Sequence, residues 1–531
     1  MGRFQKTITG PLSSLLSGLL LYLSFPPYNF SFLVWISLIP LLVSLCTDSY
    51  LKSFFLAFLT GAVFWALHVQ WVNVVPNLPF VAFLFIVFFC ALFFGLFGLS
   101  FTFVIHRTKW PKVLVAPFLW VTIEYIRSHL SFMSLPGALL GHSQHENIPI
   151  IQIASLASVY GISFLIVLVN AAFTEGLIFR MNFIRGKSFK TALSVRVISS
   201  IAGAVIAVLI TYLWGFHQVQ TLGSKEKDML TVSLIQGNIP QNQKWDSGSR
   251  KMIMERYHDL TLKASNENPD LIVWPESSIP GDLMKDFLIH QSVMKIIRET
   301  GLPLLLGSST QAKIGKGNKS YLKPINTAFL LDGMGRPLCS YNKMRLLPFA
   351  EYLPLKGRFP WPRWLVPDSG NFVPGRNPVV FRFPKGNFGV VICWENLFPD
   401  VFRKFVEQGS QFMVNLTNEA WFEKSAASQQ ILAMSVFRAV ENRVSLLRCA
   451  NTGITCIIDP LGRVRGKVTD EKGNDIMVSG ILTIGVPEPA GPTLYTKYGD
   501  VFAVICCICA ALLIISALLP EKARRYLRLS G

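Results

Sequence analysis

Charge is scarce in this chain, and acidic charge scarcer still. Of its 531 residues 15% are charged, with 50 Lys and Arg against 31 Asp and Glu, while 51% are hydrophobic and the mean hydropathy is +0.43. That balance is a membrane-protein composition. The nine cysteines include no repeated CxxC pair and none beside a histidine, which argues against structural zinc. No internal repeat of fixed period and no long low-complexity segment is present.

What is abundant is the long uncharged run. Apolar segments suited to crossing about 30 Å of hydrocarbon fall near 11 to 25, 30 to 46, 54 to 75, 80 to 105, 112 to 127, 150 to 175, 197 to 216 and 501 to 519. The fifth is interrupted by Glu124 and Arg127, and the first ends at Pro26-Pro27. The first run is expected to stay as a span rather than be cleaved, because another follows almost at once and no small-residue cleavage site is evident.

Positive loops stay in the cytoplasm. With the N-terminus inside, fifteen Lys and Arg fall on the inner side, including Arg180, Arg185, Lys187, Lys190, Arg196 and the tail residues Lys522, Arg524, Arg525 and Arg528; the outer short loops hold only Arg127. Dropping the fifth span would put the basic loop 180 to 196 outside, so it is kept. The expected organisation is a membrane domain of seven helices over 1–216, an extracytoplasmic domain over 217–500, an eighth helix over 501–519 and a cytoplasmic basic tail over 520–531. Much of the net charge of +19 is thereby topological, which removes the nucleic-acid reading.

The 217–500 insert alternates strand-like runs with helical spacing. Residues 230–239, 270–277, 302–309, 326–332, 388–394, 411–417 and 444–450 read as strands; 249–265, 287–299, 400–408 and 425–442 read as helices. "DGMGRP" (332–337) and "DPLGRV" (459–464) read as hairpin turns, and the Lys/Gly-rich 312–320 as a surface loop. Strands that are nearly continuous hydrophobic runs imply sheets buried on both faces, hence a layered α/β fold.

Within "FGVVICWEN" (388–396) a single Cys393 closes such a strand. Alone it reads first as a small hydrophobe closing a buried strand, and Cys449 and Cys456 read either as a bridge or as buried free thiols. A nucleophilic thiol needs a base, and no histidine follows His290. A carboxylate is the better base. "LIVWPESSIP" (271–280) sets Glu276 at a strand end, and "YNKMRLLPFAEYLP" (341–354) supplies Lys343 and Glu351. Each segment is weak by itself, but Glu, Lys and Cys, each beside an apolar run, form a constellation.

"WPES", "YNKMRLLPFAEYLP" and "VICWEN" resemble the three signature segments of the nitrilase or carbon–nitrogen hydrolase superfamily, and seven spans before such a domain with one after it resemble the apolipoprotein N-acyltransferase family of the bacterial inner membrane. The likeness extends over nearly the whole chain, including "IQGNIPQNQKW" (235–245), "EYIRSHL" (124–130) and "NEAWF" (418–422). It implies an αββα sandwich with Cys393 as nucleophile, Glu276 as general base and Lys343 as the cation at the oxyanion. It further implies supporting roles for Glu351 and Glu395, and a substrate role for Trp245. Trp394 stands where that family commonly has Tyr, and is assigned an apolar substrate contact.

The implied reaction takes a fatty acyl chain from a phospholipid, through a Cys thioester, to the N-terminal α-amino group of a diacylated apolipoprotein, with no metal and no cofactor. Phe359, Trp361 and Trp364, beside Arg358 and Arg363, suit an interfacial arm touching membrane lipids. His142 and His145 read as an outer loop rather than metal ligands, and Glu124 is expected to snorkel or to pair with Arg127. A membrane-tethered amidase or nitrilase is the nearest alternative. A transporter with a ligand-binding insert is another, although the spans carry almost no mid-membrane polar residues.

Overall fold

The computed structural model describes residues 3–47, 49–76, 78–108, 110–184, 191–224, 227–314, 321–362 and 370–520. The chain divides into two compact units: one comprises 1–70, 80–219 and 500–531, the other 71–79 and 220–499.

The first unit is helical. Among the described residues five helices are long and apolar enough to cross a membrane: Tyr50–His68, Phe80–Arg107, Ala154–Ile184, Val195–Gly223 and Val501–Leu518. The run expected over 11 to 25 is helical only to Leu23, in the helix Arg3–Leu23, and the interrupted fifth run forms a helix of 17 residues, Lys112–Ser128. The third span is shorter than expected, because helix ends at His68 and 3₁₀ turns follow over Gln70–Val74. The helix that begins the seventh run continues to Gly223.

The run 30 to 46 is not one helix but three short pieces, Ser31–Leu33, Val34–Ser37 and Ile39–Ser44. Pro40 has no N–H to continue the ladder, and backbone groups freed at the break need partners in a membrane. Asn170 supplies them: its Oδ1 accepts from Leu38 N at 2.9 Å and its Nδ2 donates to Val34 O at 2.9 Å. Ser17 Oγ accepts from Leu41 N at 2.9 Å.

Glu124 and Arg127 neither snorkel nor form an ion pair with each other among the described interactions. Both are buried. Glu124 Oε1 accepts from Trp120 Nε1 and Leu140 N, while the Arg127 guanidinium lies 4.9 Å from the Trp65 ring and donates to Leu135 O. His142 and His145 are likewise buried rather than displayed on a loop. The Leu139 amide donates to His142 Nδ1 at 3.1 Å.

The second unit holds two six-stranded sheets. One orders β12-β1-β2-β3-β4-β5, the other β11-β10-β9-β8-β7-β6. The strands are β1 Asp228–Gln236, β2 Leu271–Val273, β3 Leu304–Ile314, β4 Tyr321–Leu331, β5 Pro337–Asn342, β6 Val380–Phe381, β7 Phe388–Ile392, β8 Phe412–Thr417, β9 Ser445–Ala450, β10 Cys456–Ile458, β11 Val464–Lys467 and β12 Gly480–Pro487. The centres are parallel, β1-β2-β3 and β7-β8-β9, and the margins antiparallel. Parallel neighbours need crossovers, which the helices Arg250–Ser265, Phe287–Thr300, Pro399–Glu407 and Ala427–Asn442 provide.

Every residue of β7, β8 and β9 is buried, as continuous apolar strands require. On the outer face of the first sheet Tyr257 stacks on Trp274 with ring centres 4.7 Å apart, amid Ile253, Ile289, Val293 and Leu306. Between the sheets Cys449 Sγ on β9 donates to Ile235 O of β1 and Val273 O of β2, at 3.4 and 3.3 Å. The layers are therefore helix, sheet, sheet, helix. Cys449 and Cys456 are free thiols, so the bridge weighed from sequence does not form. Residues 312–314 continue β3 instead of forming a loop, and 315–320 lie outside the described residues.

Candidate active site

Cys393 stands where β7 ends. Its φ of +54° lies in the left-handed region, which costs a side-chain-bearing residue about 1–2 kcal/mol. The turn is held by the Ile392 amide donating to Glu395 Oε2 at 2.8 Å, and by Asn415 Nδ2 donating to Cys393 O at 3.3 Å. Held there, the thiol has Glu276, Lys343 and Glu351 as charged neighbours and the Thr417 hydroxyl as a hydrogen-bond partner. Burial, reinforced by the Glu276 charge and opposed by Lys343, pushes the thiol up to about 12. At rest the sulfur is protonated, so attack requires a base.

Glu276 supplies a fixed carboxylate at that position. Pro275 turns the chain out of β2, and Gly307 makes the turn possible, because a Cβ there would sit 2.7 Å from the Glu276 Cα. Asn326 Nδ2 donates to Glu276 Oε1 at 2.7 Å and the Asn418 amide to Oε2 at 2.9 Å.

Lys343 follows β5 and is 1% exposed. Its Nζ is 2.7 Å from Glu351 Oε1 and 3.7 Å from Glu276 Oε1. Burial alone would lower the ammonium, but the two carboxylates override it and hold the group above its ordinary range. Lys343 is thus a permanent cation beside a neutral thiol. Glu351 Oε2 accepts from Leu347 N at 2.7 Å, which fixes the carboxylate that grips Lys343.

Glu395 does not enter this cluster directly. It accepts from Tyr341 Oη, from the amides of Met344 and Arg345 at 2.7 and 2.9 Å, and from Ile392 N. Tyr341, Met344 and Arg345 around Lys343, and Ile392 just before Cys393, are therefore tied to one carboxylate. Burial raises that carboxyl above its usual range, and hydrogen bonds from Ile392, Arg345 and Tyr341 together with the Lys343 charge oppose the rise.

Sequence reasoning missed Asn326, Asn418 and Lys244. Lys244 is 3% exposed and its Nζ donates to the Glu276 carbonyl oxygen at 2.9 Å. Burial pulls it down to about 8, against the attraction of Glu276 and Cys393. The only available signal was its place beside Trp245 in "IQGNIPQNQKW", which gives no hint that the side chain turns inward.

The aromatic residues are placed less uniformly. Trp245 is 55% exposed, and no contact between it and the Cys393 cluster is among the described interactions. Phe359 and Trp361 pack on each other with centroids 4.6 Å apart, Phe349 packs on Trp361 at 5.0 Å, and Trp361 Nε1 donates to Pro354 O. Trp364 lies outside the described residues. Trp394 packs edge-on against Phe398 at 4.9 Å, and its Nε1 has no partner among the described residues.

This domain is of the carbon–nitrogen hydrolase class: residues 231–481 match the model of the carbon-nitrogen hydrolase family. Residues 17–172 match the apolipoprotein N-acyltransferase N-terminal domain. Over 508 residues the chain is 35% identical to the apolipoprotein N-acyltransferase of Geobacter metallireducens, covering 94% of each protein. It is 28% identical to that of Chlorobaculum tepidum over 98% of this chain and 99% of the other. A solved amidase from Nesterenkonia sp. is 18% identical with a TM-score of 0.37, covering 51% of this chain and 93% of that one. The chain belongs to the apolipoprotein N-acyltransferase family, the integral membrane transferases of the carbon–nitrogen hydrolase superfamily.

Proposed function

We propose that the protein moves a fatty acyl chain from a phospholipid to the α-amino group of the diacylglyceryl-cysteine at an apolipoprotein's N-terminus. The observation that carries this reading is the single thiol, Cys393, set among Glu276, Lys343 and Glu351. Glu276 takes the Cys393 proton as sulfur attacks the ester carbonyl, and Lys343 stabilises the oxyanion. The tetrahedral adduct collapses to a thioester, and the proton on Glu276 leaves with the lysophospholipid alcohol. The acceptor amine, once neutral, then attacks the thioester. Glu276 takes its proton, the amide forms, and sulfur leaves as thiolate to be reprotonated. Glu351 and Glu395 hold Lys343 and the two active turns. Trp245, Trp394 and the Phe359–Trp361 arm, continued to Trp364, are assigned to lipid contact.

The membrane arrangement belongs to the same proposal. Eight spans, with the short runs over 11–25, 30–46 and 112–127 included, leave both termini in the cytoplasm, and 217–500 faces the periplasm as the catalytic domain. The charge asymmetry across the loops supports this orientation in the inner membrane.

The test supplies purified full-length protein with phospholipid and a diacylated lipopeptide bearing a free amino terminus. N-acylated lipopeptide and lysophospholipid should appear in equal amounts. Free fatty acid without N-acylated product would show a hydrolase instead.

A further inference from the structure

Lys244 is a buried cation that the reaction above leaves unused. Its Nζ reaches one acceptor among the described residues, the main-chain oxygen of Glu276 at 2.9 Å, although an ammonium carries three hydrogens. The same short helix, Gln241–Lys244, is tied a second time: Asn418 Nδ2 donates to Gln241 Oε1 at 2.9 Å, and the Asn418 amide donates to the Glu276 carboxylate. Asn451 completes the frame by donating to Ile239 O and Asn418 Oδ1 while accepting from Ile239 N. A loop whose next residue, Trp245, is exposed is thus fastened to Glu276 at two points, directly to its main-chain oxygen and, by way of Asn418, to the carboxylate that serves as base.

We infer that Lys244 is a positioning residue of the acyl-transfer site, holding the Glu276 turn and lending it a second positive charge beside Lys343. This rests on the reading of Glu276 and Cys393 given above. The charged groups facing the pair from every side are Lys343 and Glu351 from the segment after β5, Cys393 after β7, and Glu419 after β8. Glu419 is itself paired with Arg448. Glu276 and Glu351 face Lys343 as two carboxyl groups to one amine, and Lys244 supplies the second amine. Removing a nearby cation disfavours the anionic form of Cys393. Because burial lowers Lys244 to about 8, its contribution is present below that pH and fades above it.

The test measures alkylation of Cys393 by iodoacetamide across pH in full-length wild type, Lys244→Met and Lys244→Arg, beside acyl loading of the same proteins from phospholipid vesicles. Lys244→Met should react about tenfold more slowly than wild type below pH of about 8 and converge with it above. Lys244→Arg should restore the low-pH rate and exceed wild type above that pH, since guanidinium stays charged. Overlapping profiles for wild type and Lys244→Met would overturn the inference, as would a uniform slowing that Lys244→Arg does not repair. The expected alkylation pattern together with no acyl loading of wild type would uphold Lys244 while overturning the acyl-transfer reading.

Discussion

Glu395 binds Tyr341 through both carboxylate oxygens, with the phenol oxygen at 2.8 and 3.0 Å. Two segments distant in sequence, the end of β5 and the turn after β7, meet on that one side chain. Three amides also donate to it, so every ligand of Glu395 is a donor. Glu395→Gln places an NH₂ against one of those donors, and a buried donor left unmatched costs about 1–3 kcal/mol. The variant should unfold at lower temperature in detergent and lose most acyl-enzyme formation. Tyr341→Phe, which keeps the three amides, should lose less of both.

Lys343 separates two carboxylates that would otherwise face each other. Lys343→Met should lower acyl-enzyme formation by about 10²–10³ through loss of oxyanion stabilisation, and cost about 3–5 kcal/mol by leaving buried charge unpaired. Adding Glu351→Gln removes one of those charges. The double variant should recover thermal stability without recovering acylation, as thermal melts beside an acyl-loading assay would register.

The proton on Cys393 sets a further expectation. With the thiol pushed up to about 12, the thiolate fraction rises with pH throughout the accessible range. Iodoacetamide should therefore label Cys393 about tenfold faster per pH unit between roughly 7 and 9 in Lys244→Met, and less steeply in wild type, where Lys244 loses its charge across the same range. A flat profile would mean a standing thiolate, and no need for Glu276 as base.

Trp394 offers a contrast. Its buried Nε1–H has no acceptor among the described residues, so the nitrogen contributes no stabilising bond there. Trp394→Phe retains the edge-on contact with Phe398 and removes the unmatched donor. Acyl transfer by this variant should stay within about threefold of wild type, with no loss of thermal stability.

The central strands were legible because β7, β8 and β9 are buried on both faces and read as unbroken apolar runs. The margins were not: β6 is two residues long, and most of β12 is only half-buried. In the membrane unit the break near Pro40 depended on Asn170, more than a hundred residues away, and no local pattern reports such a partner. The site divides in the same way. Cys393, Glu276 and Lys343 sit at strand ends within recognisable segments. Lys244, Asn326 and Asn418 act through hydrogen bonds to Glu276 that exist only once the sheets have packed. Trp245 was legible as a residue of interest, while its exposure was not.

The central claim is that Cys393 carries the acyl group. Intact-protein mass spectrometry after incubation with phospholipid should show one added acyl chain on wild type, none on Cys393→Ala, and loss of the adduct when a diacylated lipopeptide with a free amino terminus is added. An adduct that persists in Cys393→Ala would contradict the account.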